Sequence, residues 1–225
     1  MAESYSPLLI SLKTAILATA VTVILGILAA RLVIRFPEKA QWLTDGILTL
    51  PLVLPPTVIG FILLMIFGKN SPLGQALLQL GIRVVFSWSG AVIAAIVVSF
   101  PLMYRTTKAA FEQMDQNLID AGRTMGLSER YIFWQIRVPV SLPGIGAGMV
   151  LAFARAIGEF GATLMIAGNI PSKTQTVPLI IYTATAAGDM RLAMQWVAVI
   201  VAISLFSIGG MNVWLALQGR KAGKA

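Results

Sequence analysis

The chain has 225 residues, 57% hydrophobic and only 12% charged, with a mean hydropathy of +0.84 and a formal net charge of +8. That balance lies outside the range of soluble domains and places the chain among integral membrane proteins. It has no cysteine and no histidine, which excludes disulfides, thiolate metal sites and a thiol nucleophile, and deprives zinc-hydrolase and triad chemistries of their usual residues.

A spanning helix needs about 20 apolar residues, because hydrocarbon offers an open backbone no hydrogen-bond partner. Five stretches are read as spans: residues 8–30, 46–67, the slightly short 89–104, 142–167 and 193–217. The first is expected to be a retained anchor rather than a cleaved signal, since its apolar run is long, its start carries Glu3 instead of a basic cluster, and Arg31 and Arg35 follow it. Residues 177–187 are apolar but too short to cross, and are expected to be re-entrant or interfacial.

The second span carries Pro51, Pro55 and Pro56, which must remove helix hydrogen bonds and kink or break it. A broken helix at membrane depth survives where protein or a water-filled cavity covers the freed carbonyls, so these prolines are candidates for lining a pathway. An ordinary kink absorbed by neighbouring helices remains the alternative.

Residues 105–141 form the one long polar interruption. Leu118, Ala121, Gly122 and Met125 recur at helical spacing. After a turn at Gly126 and Leu127, Ser128 is placed to cap a second run that brings Ile132 and Ile136 onto one face and stops at Arg137 and Pro139. Two short helices joined at a glycine make a knob, on which Ala121 and Gly122 would admit another backbone while Tyr131, Phe133 and Trp134 supply contact area. Interfacial helices lying on anionic lipid have the same amphipathic signature, so the two readings stay open.

The fourth span contains Arg155, Gly158, Glu159 and Gly161. Arg155 and Glu159 are four apart and share a helix face. Either charge alone near mid-membrane costs at least about 2.5–3.5 kcal/mol on insertion scales, so both are expected to face protein or water and to pair. A gating or assembly role is preferred to direct anion binding, because a carboxylate is a poor host for an anion. A packing ion pair, with Gly158 and Gly161 admitting a neighbour, is the bland alternative.

Charge distribution sets the orientation. With the amino terminus outside, the inner segments hold Arg31, Arg35, Lys39, Arg105, Lys108, Arg123, Arg130, Arg137, Arg220, Lys221 and Lys224, against Lys13, Lys69, Arg83, Lys173 and Arg191 outside. The positive-inside rule then puts the 105–141 loop and the carboxyl terminus in the cytoplasm, and the positive charge reads as topology rather than nucleic-acid binding. No Gly-x-x-x-x-Gly-Lys-Ser/Thr loop occurs, so this chain is not expected to hydrolyse ATP itself.

The pattern Asp120-Ala121-Gly122-x-x-x-Gly126, with Ile136-x-Val138-Pro139 ten residues after the glycine, resembles the EAA loop of binding-protein-dependent ABC importer permeases. Asp120 stands for glutamate, Gly122 for the second alanine and Val138 for leucine. Residues 50–58, 99–103, 151–155, 158–163 and 168–171 are similar to the molybdate permeases of that family, so the resemblance covers roughly residues 8–214. The segment Gly158-Glu159-Phe160-Gly161 is shared with sulfate and tungstate relatives.

The resemblance implies an all-α type I ABC importer transmembrane domain, residues 1–225 as one unit, in a bacterial or archaeal cytoplasmic membrane. It implies a molybdate permease, with tungstate or sulfate as alternatives. It also implies a second copy of the chain, two copies of an ABC ATPase that uses ATP and Mg, and an extracytoplasmic oxyanion-binding protein, with no cofactor in this chain. Asp120, Ala121, Gly122, Gly126, Leu127, Ile136 and Pro139 would couple to the ATPase, while Pro51, Pro55, Pro56, Arg155, Gly158, Glu159 and Gly161 are the pathway or gating candidates. A secondary transporter would show more membrane carboxylates and an internal repeat. A membrane enzyme would show clustered acids, histidines or nucleophiles. A non-transporting scaffold is allowed by composition.

Overall fold

The computed structural model describes residues 6–222, so Glu3 and Lys224, used above for the anchor and the topology, lie outside the described residues. Twelve helices follow in chain order: α1 Ser6–Val33, α2 Glu38–Val53, α3 Pro56–Phe67, α4 Pro72–Gln79, α5 Trp88–Glu112, α6 Gln116–Thr124, α7 Glu129–Tyr131, α8 Val138–Val140, α9 Leu142–Ile157, α10 Gly161–Ala167, α11 Val177–Ala186 and α12 Met190–Ala222. A π-helical turn, Ile132–Arg137, joins α7 to α8. No strand is present among the described residues.

Three helices, α1, α5 and the 190–210 part of α12, are each long and apolar enough to cross a membrane. Two bent pairs, α2 with α3 at 108° and residues 129–140 with α9 at 70°, bring the number to five when each counts as one span. The second span departs from the continuous helix 46–67: it begins earlier, at Glu38, and turns sharply at Leu54 and Pro55. Pro51 is tolerated inside α2, whereas Pro56 opens α3, where its missing N–H costs nothing. The fourth span, expected as 142–167, breaks at residues 158–160 into α9 and α10.

The centre of the bundle is α1, α5 and α9 packed on one another, with α10 held between α3 and α5. Small side chains make this close approach possible: Ala15, Ala18, Ala95, Ala152 and Ala156 are buried at the helix contacts, and a Cβ on Gly148 would lie 2.1 Å from Thr106 Oγ1. Two buried hydroxyls find partners across helices, Thr22 with Ser99 at 3.3 Å and Thr14 accepting from Trp88 Nε1 at 2.8 Å. The Val177 N–H donates to Ser11 Oγ at 2.8 Å, which pins the short α11 to α1. By contrast α2 buries no residue, and Phe61, Phe206 and Val213 stand exposed on α3 and α12. These apolar faces suit lipid or another protein rather than water.

Candidate functional site: a polar knob and two abutting helix breaks

The knob is built from local signals. Asp115 caps α6 by accepting from the Asn117 N–H at 2.9 Å, and Ser128 caps α7 through the Tyr131 N–H at 3.3 Å. Between them Gly126 adopts φ +77°. The Leu127 N–H bonds the Gly122 carbonyl and the Gly126 N–H bonds that of Arg123, the paired pattern that closes a helix on a left-handed glycine. An added Cβ at Gly126 would meet nothing within 4 Å, so this glycine is required by its backbone angle and not by crowding.

Side-chain packing divides the first helix differently from the sequence reading. Gly122 is buried inside the knob, where a Cβ would come within 3.2–3.3 Å of Ile132 and Ile136, so it joins the two knob helices instead of admitting an outside backbone. Ile119, which the periodic reading passed over, is the other inward anchor at 1% exposure. Ala121 and Asp120 are exposed, as are Leu118, Met125, Tyr131 and Trp134. Phe133 is buried and packs edge-on against Phe111 of α5, which ties the knob to the bundle. Leu127 and Ile136 are half-buried and Pro139 is exposed where α8 leads into α9.

Asp120 does not stand free. Arg123 contacts Asp120 at 3.1 Å and Glu129 at 2.6 Å, bridging α6 and α7 across the Gly126 turn. The hydrogen bond from Arg123 holds the Glu129 carboxyl below its ordinary range. The pair Arg123 and Glu129 was not singled out from sequence, although six residues flanking a glycine turn is a spacing that could have found it.

A second unpredicted network joins α2 to α5. Tyr104 donates its hydroxyl to Asp45, and the Lys108 ammonium contacts Asp45 and, at 3.3 Å, Glu112. Tyr104 and Lys108 are one turn apart on α5, and Asp45 is one residue before the expected start of the second span.

The two interrupted spans meet. At the break between α9 and α10, Gly161 lies against α3, where a Cβ would be 3.1 Å from Pro56 Cβ and 3.3 Å from Thr57. One turn further along α3, Gly60 packs on Ala162 and Met165. Pro56, beside the first break, therefore abuts Gly161, at the second. Glu159, 2% exposed, accepts from the Ala162 N–H at 2.8 Å and so caps α10. Its other oxygen lies 2.7 Å from Arg155 Nη1, an electrostatic contact off the axis of a directed hydrogen bond. Gly158 and Pro55 are exposed at the breaks, and Pro51 lies a turn before the first of them.

Spanning helices interrupted at mid-course, together with a two-helix knob at one end of the bundle, are the architecture of a type I ABC importer transmembrane domain, as likeness to a solved transporter shows. A chain of the MetNI methionine ABC transporter, crystallised in an inward-facing conformation, superposes with a TM-score of 0.75 over 96% of both chains at 15% identity. The chain belongs to the family of binding-protein-dependent transport system inner membrane components, whose profile matches residues 22–220. It is a multi-pass protein of the cytoplasmic membrane. Among its relatives, the putative molybdenum transport system permease YvgM of Bacillus subtilis is 44% identical over 207 residues, 92% of this chain and 91% of that protein. The molybdenum transport system permease ModB of Escherichia coli K12 is 42% identical over 96% and 95%. The sulfate transport system permease CysT of Salmonella typhimurium is 32% identical over 94% of this chain and 76% of its own length.

Proposed function

We propose that this chain is the permease subunit of an ATP-driven importer that carries molybdate across the cytoplasmic membrane. The observation that carries the substrate is the end-to-end match at 42–44% identity to molybdenum permeases, against 32% to a sulfate permease that extends well beyond it. Tungstate, chemically the nearest tetrahedral oxyanion, and sulfate are the competing substrates.

The chain works as one domain and as a pair of copies. Two copies of a separate ATPase supply the nucleotide chemistry with ATP and Mg, and an extracytoplasmic binding protein supplies the oxyanion. The exposed surface of the knob, Asp120, Ala121 and Met125 with Tyr131 and Trp134, docks into the ATPase. Gly122, Gly126, Leu127, Ile136 and Pro139 shape that surface from behind. Closure of the ATPase pulls the knob, Phe133 transmits the pull to Phe111 on α5, and the bundle rocks between outward and inward access. The abutting breaks at Pro55–Pro56 and Gly158–Gly161, with Arg155 and Glu159 across the second, form a hinge in the wall of the pathway.

The test is uptake of labelled molybdate by cells that lack their own system and express this chain with its ATPase and binding protein. Uptake inhibited by excess tungstate and little by sulfate is expected. Sulfate uptake unaffected by molybdate overturns the substrate, and uptake that persists without ATP overturns the class.

A further inference from the structure

Where α1 leaves the bundle, it faces the knob across a cleft of about 360 Å³. Four guanidinium groups line it: Arg31 from the last turn of α1, Arg35 from the turn that follows it, Arg123 from α6 and Arg137 from the π-helical turn. Glu129 is the single acid on its walls, and Gln116 adds a neutral amide. Glu129 is already engaged by Arg123, 2.6 Å away. Among the described residues, Arg31, Arg35 and Arg137 have no carboxylate within ion-pair distance. Arg31 instead lies over the Phe133 ring at 4.2 Å, and Arg137 stands 6.0 Å from that of Phe111. Arg31 is thus held over an aromatic face, Arg137 lies at the outer limit of such a contact, and both line the cleft without a carboxylate partner.

The π-helical turn contributes to this convergence. The Val138 N–H bonds back to the Phe133 carbonyl, five residues earlier, and the widened turn carries Ile132, Phe133 and Arg137 to the same side. Like charges gathered in a small concave space repel unless a counter-ion sits among them. Planar forks of N–H donors converging from different elements are the chemistry that recognises a phosphate-type oxyanion. Position narrows the setting: Arg31 is in the last turn of the first apolar helix and Arg35 just beyond it, on the side that the charge asymmetry assigns to the cytoplasm, where basic side chains meet anionic headgroups.

We propose that this cleft, with Arg31, Arg35 and Arg137 as its open donors and Arg123 held on its wall by Glu129 and Asp120, is a binding site for one phosphate-type oxyanion, wedged between the end of the first span and the knob. Its occupant ties the knob to α1 and so sets how readily the knob moves. The site lies apart from the two helix breaks and borders the knob's exposed docking surface through Arg123, which also contacts Asp120, and it stands whether or not the importer carries molybdate.

Two sources supply that chemistry, the headgroup of an anionic phospholipid and a free oxyanion of the cytoplasm, and one experiment separates them. The full chain in a neutral detergent is titrated with phosphatidylglycerol against phosphatidylcholine of the same acyl chains, and separately with inorganic phosphate against chloride at matched ionic strength. Bound mass is read by native mass spectrometry, and the unfolding midpoint alongside it. One phosphatidylglycerol retained per chain at least tenfold better than phosphatidylcholine assigns the lipid. A midpoint raised by phosphate over chloride, without lipid preference, assigns the soluble ion. Arg35→Gln and Arg137→Gln should each weaken the retained species about tenfold, and Arg35→Lys should keep more of it than Arg35→Gln. Arg35 is exposed and unpaired, so its neutralisation leaves the bundle packing alone, as an unchanged helical circular dichroism spectrum would verify. Equal retention of both lipids with no response to phosphate overturns the proposal, as do folded glutamine variants that bind like the parent chain.

Discussion

Arg155 Nη1 lies 2.7 Å from Glu159 Oε2, and the same carboxylate accepts from the Ala162 N–H through its other oxygen, so one buried side chain spans the break between α9 and α10. The arrangement leaves Glu159 two jobs, neutralising an arginine and closing a helix end. Glu159→Gln keeps an acceptor for the Ala162 N–H but loses the charge, whereas Glu159→Ala loses both. With Arg155 partly exposed, loss of the ion pair is expected to cost about 1–3 kcal/mol, below the figure for fully buried pairs. We expect molybdate uptake to fall at least tenfold in both variants, with capture of molybdate by the soluble binding protein unchanged. Thermal unfolding should rank Ala below Gln. Parent-like uptake and dimer stability in Glu159→Gln and Arg155→Gln would reduce the pair to passive packing.

The left-handed turn at Gly126 makes a second prediction. A side chain at φ +77° costs roughly 1–2 kcal/mol of backbone strain, with no clash to add to it. Gly126→Trp is expected to insert and fold but to uncouple ATP hydrolysis from uptake, because a reshaped knob no longer seats in the ATPase. Full ATP-driven uptake by that variant in proteoliposomes would remove the knob from the coupling path.

Gly122 tests the inside of the same knob. Gly122→Ala asks the Ile132 and Ile136 tips to yield by a few tenths of an ångström, while Gly122→Leu cannot be accommodated without parting the two helices. Amide exchange over residues 116–131 should be little changed in the first and clearly faster in the second, with uptake following the same order.

The Arg123 bridge gives the knob a pH dependence. The carboxyl of Glu129 is depressed by its partner, so the bridge contributes its full stability above the ordinary carboxylate value and loses it as pH falls through the lower, folded-state value. Both groups are exposed, and the effect should shrink in high salt. Protection of the amides across residues 116–131, taken relative to their intrinsic exchange rate at each pH, is expected to fall in acid below the range where free glutamate titrates, and Glu129→Gln should erase that response.

Asp45 anchors the otherwise unburied α2. Asp45→Ala strands the Tyr104 hydroxyl and leaves the Lys108 ammonium with Glu112 alone, and is expected to cost about 1–3 kcal/mol. Asp45→Asn, which retains an acceptor, should recover part of it. Detergent-solubilised unfolding midpoints of the two variants measure the difference.

Much of this architecture was legible because it is local. Apolar run length marked the spans, the charge asymmetry proposed an orientation, and Gly126 with Ser128 marked a turn and a cap that the backbone reproduces. The prolines announced an interruption in the second span, though not its angle of 108°. The break at residues 158–160 was less legible, since glycines spaced like Gly158 and Gly161 occur equally in unbroken membrane helices that pack closely. At that break Gly161 fits against Pro56, a contact between residues more than a hundred positions apart.

Composition and periodicity by themselves determined that this is a helical membrane protein with a polar knob, because the cost of burying backbone and charge in hydrocarbon is levied residue by residue along the chain. Only the tertiary structure decided that Gly122 faces inward, that the two helix breaks abut, and that Arg31 and Arg35 meet Arg137 across a cleft. Those outcomes depend on which helix faces meet, and that choice is made by close packing between segments distant in sequence, where a single Cβ fits or does not.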